Sequence, residues 1–330
     1  MATGSLSQQS RIEYTNAVQC LQQKPAISSL SDIPGAQSLF DDFSGTHIIQ
    51  APHVHFSVRI FCLLCLGPIA RKDRLNAEKG IFFHFHRYFI WLYEKALQEE
   101  CDYKGTQPYW DWTLSWQDPR KSPVFDGSPT SLGSNGKPTP HGPTNLTAFG
   151  IDLEIAPATG GGCVYSGPFK NYTVNLGPVA FAPIDGDNGL DYNPRCLSRD
   201  ISLVWSNKTK PTDVTSLISS CADLGCFDTV LEAIDGVHAG GHFTIGGVDI
   251  DAYASAGDPA FYLHHTQVDR VWTIWQNLNS RNRTRQVYGT STAFNGEFHF
   301  HLFHLQRIIY VNGSDAPSPT KSERDIGHQH

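Results

Sequence analysis

The 330-residue sequence predicts a mainly α-helical bundle with long loops, little β-structure and a metal site in its core. Three observations carry that expectation. Two long stretches, one in each half of the chain, place apolar residues at helical spacing; both stretches bear histidines; and the middle third is rich in Gly, Pro, Ser, Thr and Asn with little periodicity of either kind.

In chain order, residues 8–24, containing EYTNAVQCLQQ, read as a helix, and the Pro/Gly/Ser-rich segment after Lys24 reads as loop. Residues 81–100, IFFHFHRYFIWLYEKALQEE, form the clearest helix of the first half, with Phe82, His86, Phe89, Tyr93 and Ala96 on one stripe. From Pro119 to about Pro194 the composition is that of long, ordered loops. DPAFYLHHTQVDRVWTIWQNL is the next strong helix: Asp258 suits the N-cap, Pro259 the first helical position, and Phe261, His265, Val268, Trp272 and Trp275 make one stripe. There is no internal repeat, and the whole of 1–330 reads as a single domain.

The bulk numbers bound the partners. With 40% hydrophobic and 12% aromatic residues the chain can bury a large core. A net charge of -7, with no long Lys/Arg run, argues against nucleic acid and leaves a neutral small molecule as the expected partner. Fifteen histidines against twenty-five Lys plus Arg is an unusual ratio, and imidazole is the commonest metal ligand among side chains. Eight cysteines and five N-x-[ST] sequons, at Asn145, Asn171, Asn207, Asn282 and Asn312, suggest a secretory history, although MATGSLSQQSRIEY carries no apolar signal-peptide core.

VHAGGHFTIGG sets His238 and His242 four apart, so on a helix both imidazoles leave one face and can share an ion. The two intervening glycines weaken such a helix by about 1 kcal/mol each, so something else should hold it. Zinc hydrolases of the HExxH type need a glutamate where Ala239 stands, which disfavours a protease. Adjacent His264 and His265 point about 100° apart on a helix, so only one is a ligand, and His265 lies on the apolar stripe. Three neutral imidazoles suit copper, zinc or iron alike.

HAGGH followed by DPAFYLHHTQVDRVW, with HRYFIWLYEKAL and QPYWDW upstream, resembles the tyrosinase and polyphenol oxidase family, above all its short fungal catechol oxidase-like members; the resemblance covers most of residues 10–290. It implies a helical bundle around two copper ions, each held by three histidines, with dioxygen as co-substrate. By motif position His238, His242 and His265 match the ligands of one copper, with His264 behind them and Asp269 and Arg270 as a buttressing pair. His86 in HRYF and His47 in DDFSGTH match two ligands of the other copper, and His55, eight after His47, the third. The resemblance also suggests that Cys20 pairs with Cys101 and Cys163 with Cys196.

Two features depart from the family pattern. Residues 56–79 look inserted between His55 and the following GIFF, either as translated intron sequence or as a surface loop, and 297–310 has a similarly foreign look. Position 53, where some members carry a cysteine linked to a histidine, is His53, so no thioether is expected; His84 is a poorly oriented spare. IFCLLCLGPIA is too short to span a membrane. The implied activity is oxidation of small phenols or catechols, or of a tyrosine in a peptide, by dioxygen. Where many tyrosinases place an asparagine after the first ligand of this second copper, Ala239 predicts diphenol oxidation stronger than phenol hydroxylation. The alternative is a dioxygen-binding or catalytically disabled relative, because the region of the first copper is interrupted.

Overall fold

The computed structural model describes residues 1–55, 81–148, 151–180 and 188–288. The candidate insertions at 56–79 and 297–310 lie outside them.

Helix α1 (Gln8–Leu21) opens on Ser7, whose hydroxyl accepts from the Ser10 amide. Helix α2 (Leu39–Val54) begins with a reciprocal cap: Ser38 accepts from the Asp41 amide while the Asp41 carboxylate takes the Ser38 amide. Helix α3 (Phe82–Cys101) ends at Asp102, the one described non-glycine residue with positive φ, at 56°. The middle of the chain forms three two-stranded antiparallel ribbons: β1 (Gly136–Pro138) with β4 (Gly161–Val164), β2 (Thr144–Ala148) with β3 (Ile151–Ile155), and β5 (Thr173–Val174) with β6 (Arg195–Cys196). Six α-helices follow among the described residues: α4 (Leu203–Ser206), α5 (Pro211–Ser220), α6 (Leu224–Leu231), α7 (Val237–Ile245), α8 (Ala260–Asn277) and α9 (Ser280–Arg283).

The helical bundle is as the sequence predicts, and one aromatic-rich core joins α1, α2, α3 and α8. Phe40 and Phe43 of α2 meet Tyr93 of α3 edge-on at 6.2 and 5.4 Å, and Tyr93 stacks on Tyr262 of α8 at 3.6 Å. Such pairs add about 0.5–1.5 kcal/mol each beyond the area they bury.

Three expectations are corrected. Helix α2 was not anticipated because nearly every one of its side chains is buried, so it shows no polar face and no stripe. The middle third is not free of periodicity: IDLEI alternates strictly, and it forms β3. Pro259, not Asp258, is the cap of α8; Asp258 sits one residue earlier, accepts from the Ala260 amide at 2.8 Å and forks onto Arg199 at 2.7 and 2.8 Å. Both side chains of that pair are fully buried, and Arg199 also donates to the Leu132 and Ser134 carbonyls, which satisfies the charge that burial would otherwise leave costly.

Disulfides join Cys20 to Cys101 and Cys163 to Cys196, matching the family-based expectation, and a third joins Cys221 to Cys226. Among the described residues no helix is long and apolar enough to cross a membrane.

Candidate metal centre

Two histidine groups meet in the core, His47, His55 and His86 in one and His238, His242, His264 and His265 in the other; within each, one ring nitrogen per residue lies within 4.8 Å of every other.

In the first group, His47 projects from the middle of α2, His55 follows its last turn, and His86 stands on the second turn of α3. Each Nδ1 faces a main-chain carbonyl: Tyr253 at 2.7 Å for His47, Phe82 at 2.9 Å for His86 and Ala51 at 3.3 Å for His55. A carbonyl only accepts, so each Nδ1 carries the proton and each Nε2 keeps a lone pair. The Nε2 atoms of His47 and His86 are buried with no hydrogen-bond partner, which is costly unless an ion takes them.

The second group shows the same logic with different partners. His238 Nδ1 stands 2.7 Å from a Glu232 carboxylate oxygen, and His242 Nδ1 3.0 Å from Asp249. With both protons directed at carboxylates, the Nε2 atoms again hold lone pairs, yet His242 Nε2 lies 3.1 Å from Nε2 of His238 and 3.1 Å from Nε2 of His265. The lone pairs of His238 and His242 repel at that range. Three nitrogens bound at about 2.0–2.1 Å to one ion would sit about 3.3 Å apart, so a cation converts the repulsion into ligation.

Burial reinforces the neutral state that ligation needs. Desolvation pushes the His47 pKa down to about 4 and drives His55, His86, His238, His264 and His265 well below the ordinary imidazole value. Desolvation also raises Asp249 to about 6, against the pull of His242.

His264 is differently placed. Its Nδ1 accepts from the Trp112 indole at 3.1 Å, and its ring lies where the Cβ of residue 241 would be, 2.1 Å from that position. Gly241 is therefore required by close packing, and a Cβ at Gly240 would meet the Lys208 side chain at 2.8 Å. Gly241 thus lets α7 approach α8, and Gly240 lets it approach the turn at Lys208 and Thr209.

The two groups face each other. His86 stacks on His265 with centroids 4.2 Å apart, and the fully buried Phe261 lies 4.2 Å from His265 and 4.8 Å from His47.

Asp269 and Arg270, expected as buttresses, each meet a partner on another segment. Asp269 takes Arg87 at 2.5 Å, and Arg87 also donates to Thr273 at 2.9 Å and stacks on Trp272 at 3.9 Å. This clasp joins the residue after His86 to the residue four beyond His265, fixing the register of α3 on α8. Arg270 turns outward to Asp111, 3.5 Å away, and over the Tyr109 ring. His53 is exposed on α2, and His84 packs against Trp272 at 5.2 Å, away from the converging nitrogens.

Sequence reasoning missed Glu232, Asp249, Arg87 and Trp112 as supports. Of these, only Trp112, inside the quoted QPYWDW, and Arg87, inside HRYF, carried any signal.

A helical bundle with two facing histidine clusters is built to hold two metal ions, and comparison with known proteins gives the class its name. The model of the common central domain of tyrosinase matches residues 37–278. Tyrosinase P of Aspergillus terreus is 38% identical over 304 residues, covering 88% of this chain and 79% of that protein. An N-acetyl-6-hydroxytryptophan oxidase of Emericella nidulans is 33% identical over 316 residues, 88% of this chain and 80% of its own. Among solved structures, a polyphenol oxidase from Thermothelomyces thermophila superposes with a TM-score of 0.72 at 41% identity, over 84% of this chain and 69% of that one. The chain belongs to the tyrosinase family and is a copper oxidoreductase.

Proposed function

We propose that the chain oxidises catechols to o-quinones with dioxygen, and hydroxylates monophenols more slowly. On this reading 1–330 is one catalytic domain, His47, His55 and His86 hold one copper, and His238, His242 and His265 hold the other. His264 stays behind the second copper, its Nδ1 occupied by Trp112.

The observation that carries the reading is the convergence of ring nitrogens in two facing groups, with the Nδ1 protons of His47, His55 and His86 fixed by carbonyls and those of His238 and His242 by carboxylates. The chemistry that bound copper supplies is two-electron exchange between dioxygen and a phenolic ring. The protein's own part is to fix the tautomers of five of the six imidazoles through their outer hydrogen bonds, and to keep water from the inner wall around Phe261, His265 and His47, all of zero exposure. The half-buried Ala239 beside His238 offers no group to hold a water that would deprotonate a phenol, which favours substrates with two hydroxyls.

The test is to reconstitute the chain with copper, count the metal, and follow quinone formation from a catechol and its matching phenol. Two coppers per chain with the catechol at least about tenfold faster is the expected result. Two coppers with no quinone would leave dioxygen binding as the function, and equal rates on both substrates would remove the diphenol preference.

A further inference from the structure

We propose that the β2–β3 hairpin is a specificity wall beside the copper pair, one that selects phenolic rings bearing an apolar substituent. The inference rests on the oxidase reading above and adds the substrate class.

The six proposed ligands are unevenly covered. His47, His86 and His265 are sealed, whereas His55 is half-buried and the side chains of His238 and His242 keep 11% and 12% of their exposure, so the site is least covered where His55, at the end of α2, stacks on His238 of α7. Ala239 and Phe243 each follow one of those ligands, and so lie together on the α7 face turned about 100° from them, at the rim of the opening.

The hairpin lies on that face. Its register pairs Leu146 with Leu153 and Thr144 with Ile155, and the two-residue alternation sends Leu146, Leu153 and Ile155 to one side while Asn145 and Glu154 face solvent. Leu146 and Ile155 are buried in one cluster with Phe243, and Leu153, Trp205 and Ala239 pack at its edge. Trp205 meets Phe243 edge-on at 4.7 Å. Leu153 and Trp205 remain half-buried, so they have surface left for a ligand. None of these wall side chains carries a charge, so a hydrocarbon substituent gains burial there, while a carboxylated one would be desolvated without a counter-ion.

The wall is indexed to the metal helix by one carboxylate. Asp200 accepts from His141 Nε2 at 2.9 Å, just before β2, and from the Ala158 and Gly160 amides at 2.8 Å, just after β3. Its own amide donates to the Ile245 carbonyl, at the end of α7. Both feet of the hairpin thus stand on the residue whose amide bonds the last carbonyl of the ligand-bearing helix.

The experiment compares copper-loaded wild type with Leu153→Ser on catechol and on 4-tert-butylcatechol, and separately measures calorimetric binding of the non-oxidisable pair benzoate and 4-tert-butylbenzoate. In the variant, kcat/KM for the alkylated catechol should fall about tenfold through KM, with catechol held within about twofold. Wild type should bind 4-tert-butylbenzoate more tightly than benzoate, and Leu153→Ser should lose that preference. Equal losses on both catechols, or no preference between the benzoates in wild type, overturns the wall. Should Leu153→Ser not fold, Leu153→Val gives the same comparison with a smaller shift. Failure to oxidise any catechol would count against the oxidase reading instead, since the benzoate comparison still tests the wall.

Discussion

The histidine group on α2 and α3 and the one on α7 and α8 reach the same end by different supports. The first fixes its tautomers with main-chain carbonyls of Ala51, Phe82 and Tyr253, so its geometry is a property of the backbone. The second relies on the side chains of Glu232 and Asp249, and on a glycine that admits the His264 ring. A backbone support survives side-chain substitution; a carboxylate support does not. The second group should accordingly be the one that can be tuned, or broken, from its surroundings.

The largest effect tests whether the groups are separate sites at all. His86→Ala and His265→Ala should each lower bound copper from two to one per chain and cut catechol oxidation by at least about a hundredfold, because one copper alone cannot share the two-electron exchange. Copper content by atomic absorption decides it. A variant that retained two coppers would show that the ligands are not divided as the geometry divides them.

A second, smaller effect comes from acid acting on the metal-free chain. His47 titrates near 6.5 when unfolded and about 4 when folded, so between those values the unfolded state binds more protons. Its contribution to stability is complete above pH 6.5 and is lost as pH falls to 4, on the order of 3 kcal/mol for the 2.5-unit difference. Asp249 runs the other way: raised from 3.8 to about 6, it favours the folded state as pH falls through that window. Asp41 and Asp42 on α2 are raised by burial in the same sense, and His238, His264 and His265 are lowered as His47 is, so both groups hold both kinds. Urea midpoints of the metal-free chain should drop from pH 6.5 to pH 4 as the buried imidazoles charge, and midpoints that rise instead would mean that the raised carboxyls outweigh them.

How much of this the sequence could show follows from the same difference. The second group spans 28 residues, and its members sit at i, i+4 on one helix or inside the D-P-x-F-x-x-H-H motif, so spacing alone brings them together. The first spans His47 to His86, on a helix whose uniform burial hides its period and on another beyond the residues at 56–80; only resemblance to a family supplied His47 and His55. The supports were less legible still. Asp249 and Glu232 lie outside regular helices, and nothing in VDIDAY or LEAIDG distinguishes the buried Asp249 from the exposed Asp235. Asp269 and Arg270 were expected as buttresses without their partners, because adjacent helical residues diverge by about 100° and the sequence does not say which elements they meet; Asp269 meets Arg87 and Arg270 meets Asp111.

The finest probe of the comparison is Asp249→Asn. The amide keeps the size of the carboxyl but can turn its NH2 toward His242, which would move the imidazole proton to Nε2 and remove the lone pair aimed at the metal. Loss of such an outer partner weakens a metal site by about 10- to 100-fold, and here only one of two coppers should feel it. Titration of the loaded chain with a chelator should become biphasic, one copper leaving at about 10- to 100-fold lower chelator and the other unchanged. No equivalent substitution exists for the first group, whose supports are peptide carbonyls. A single unshifted phase would mean that the carboxylate does not set the His242 tautomer; a single shifted phase would mean that the two coppers bind as one unit, coupled through the stacked His86 and His265.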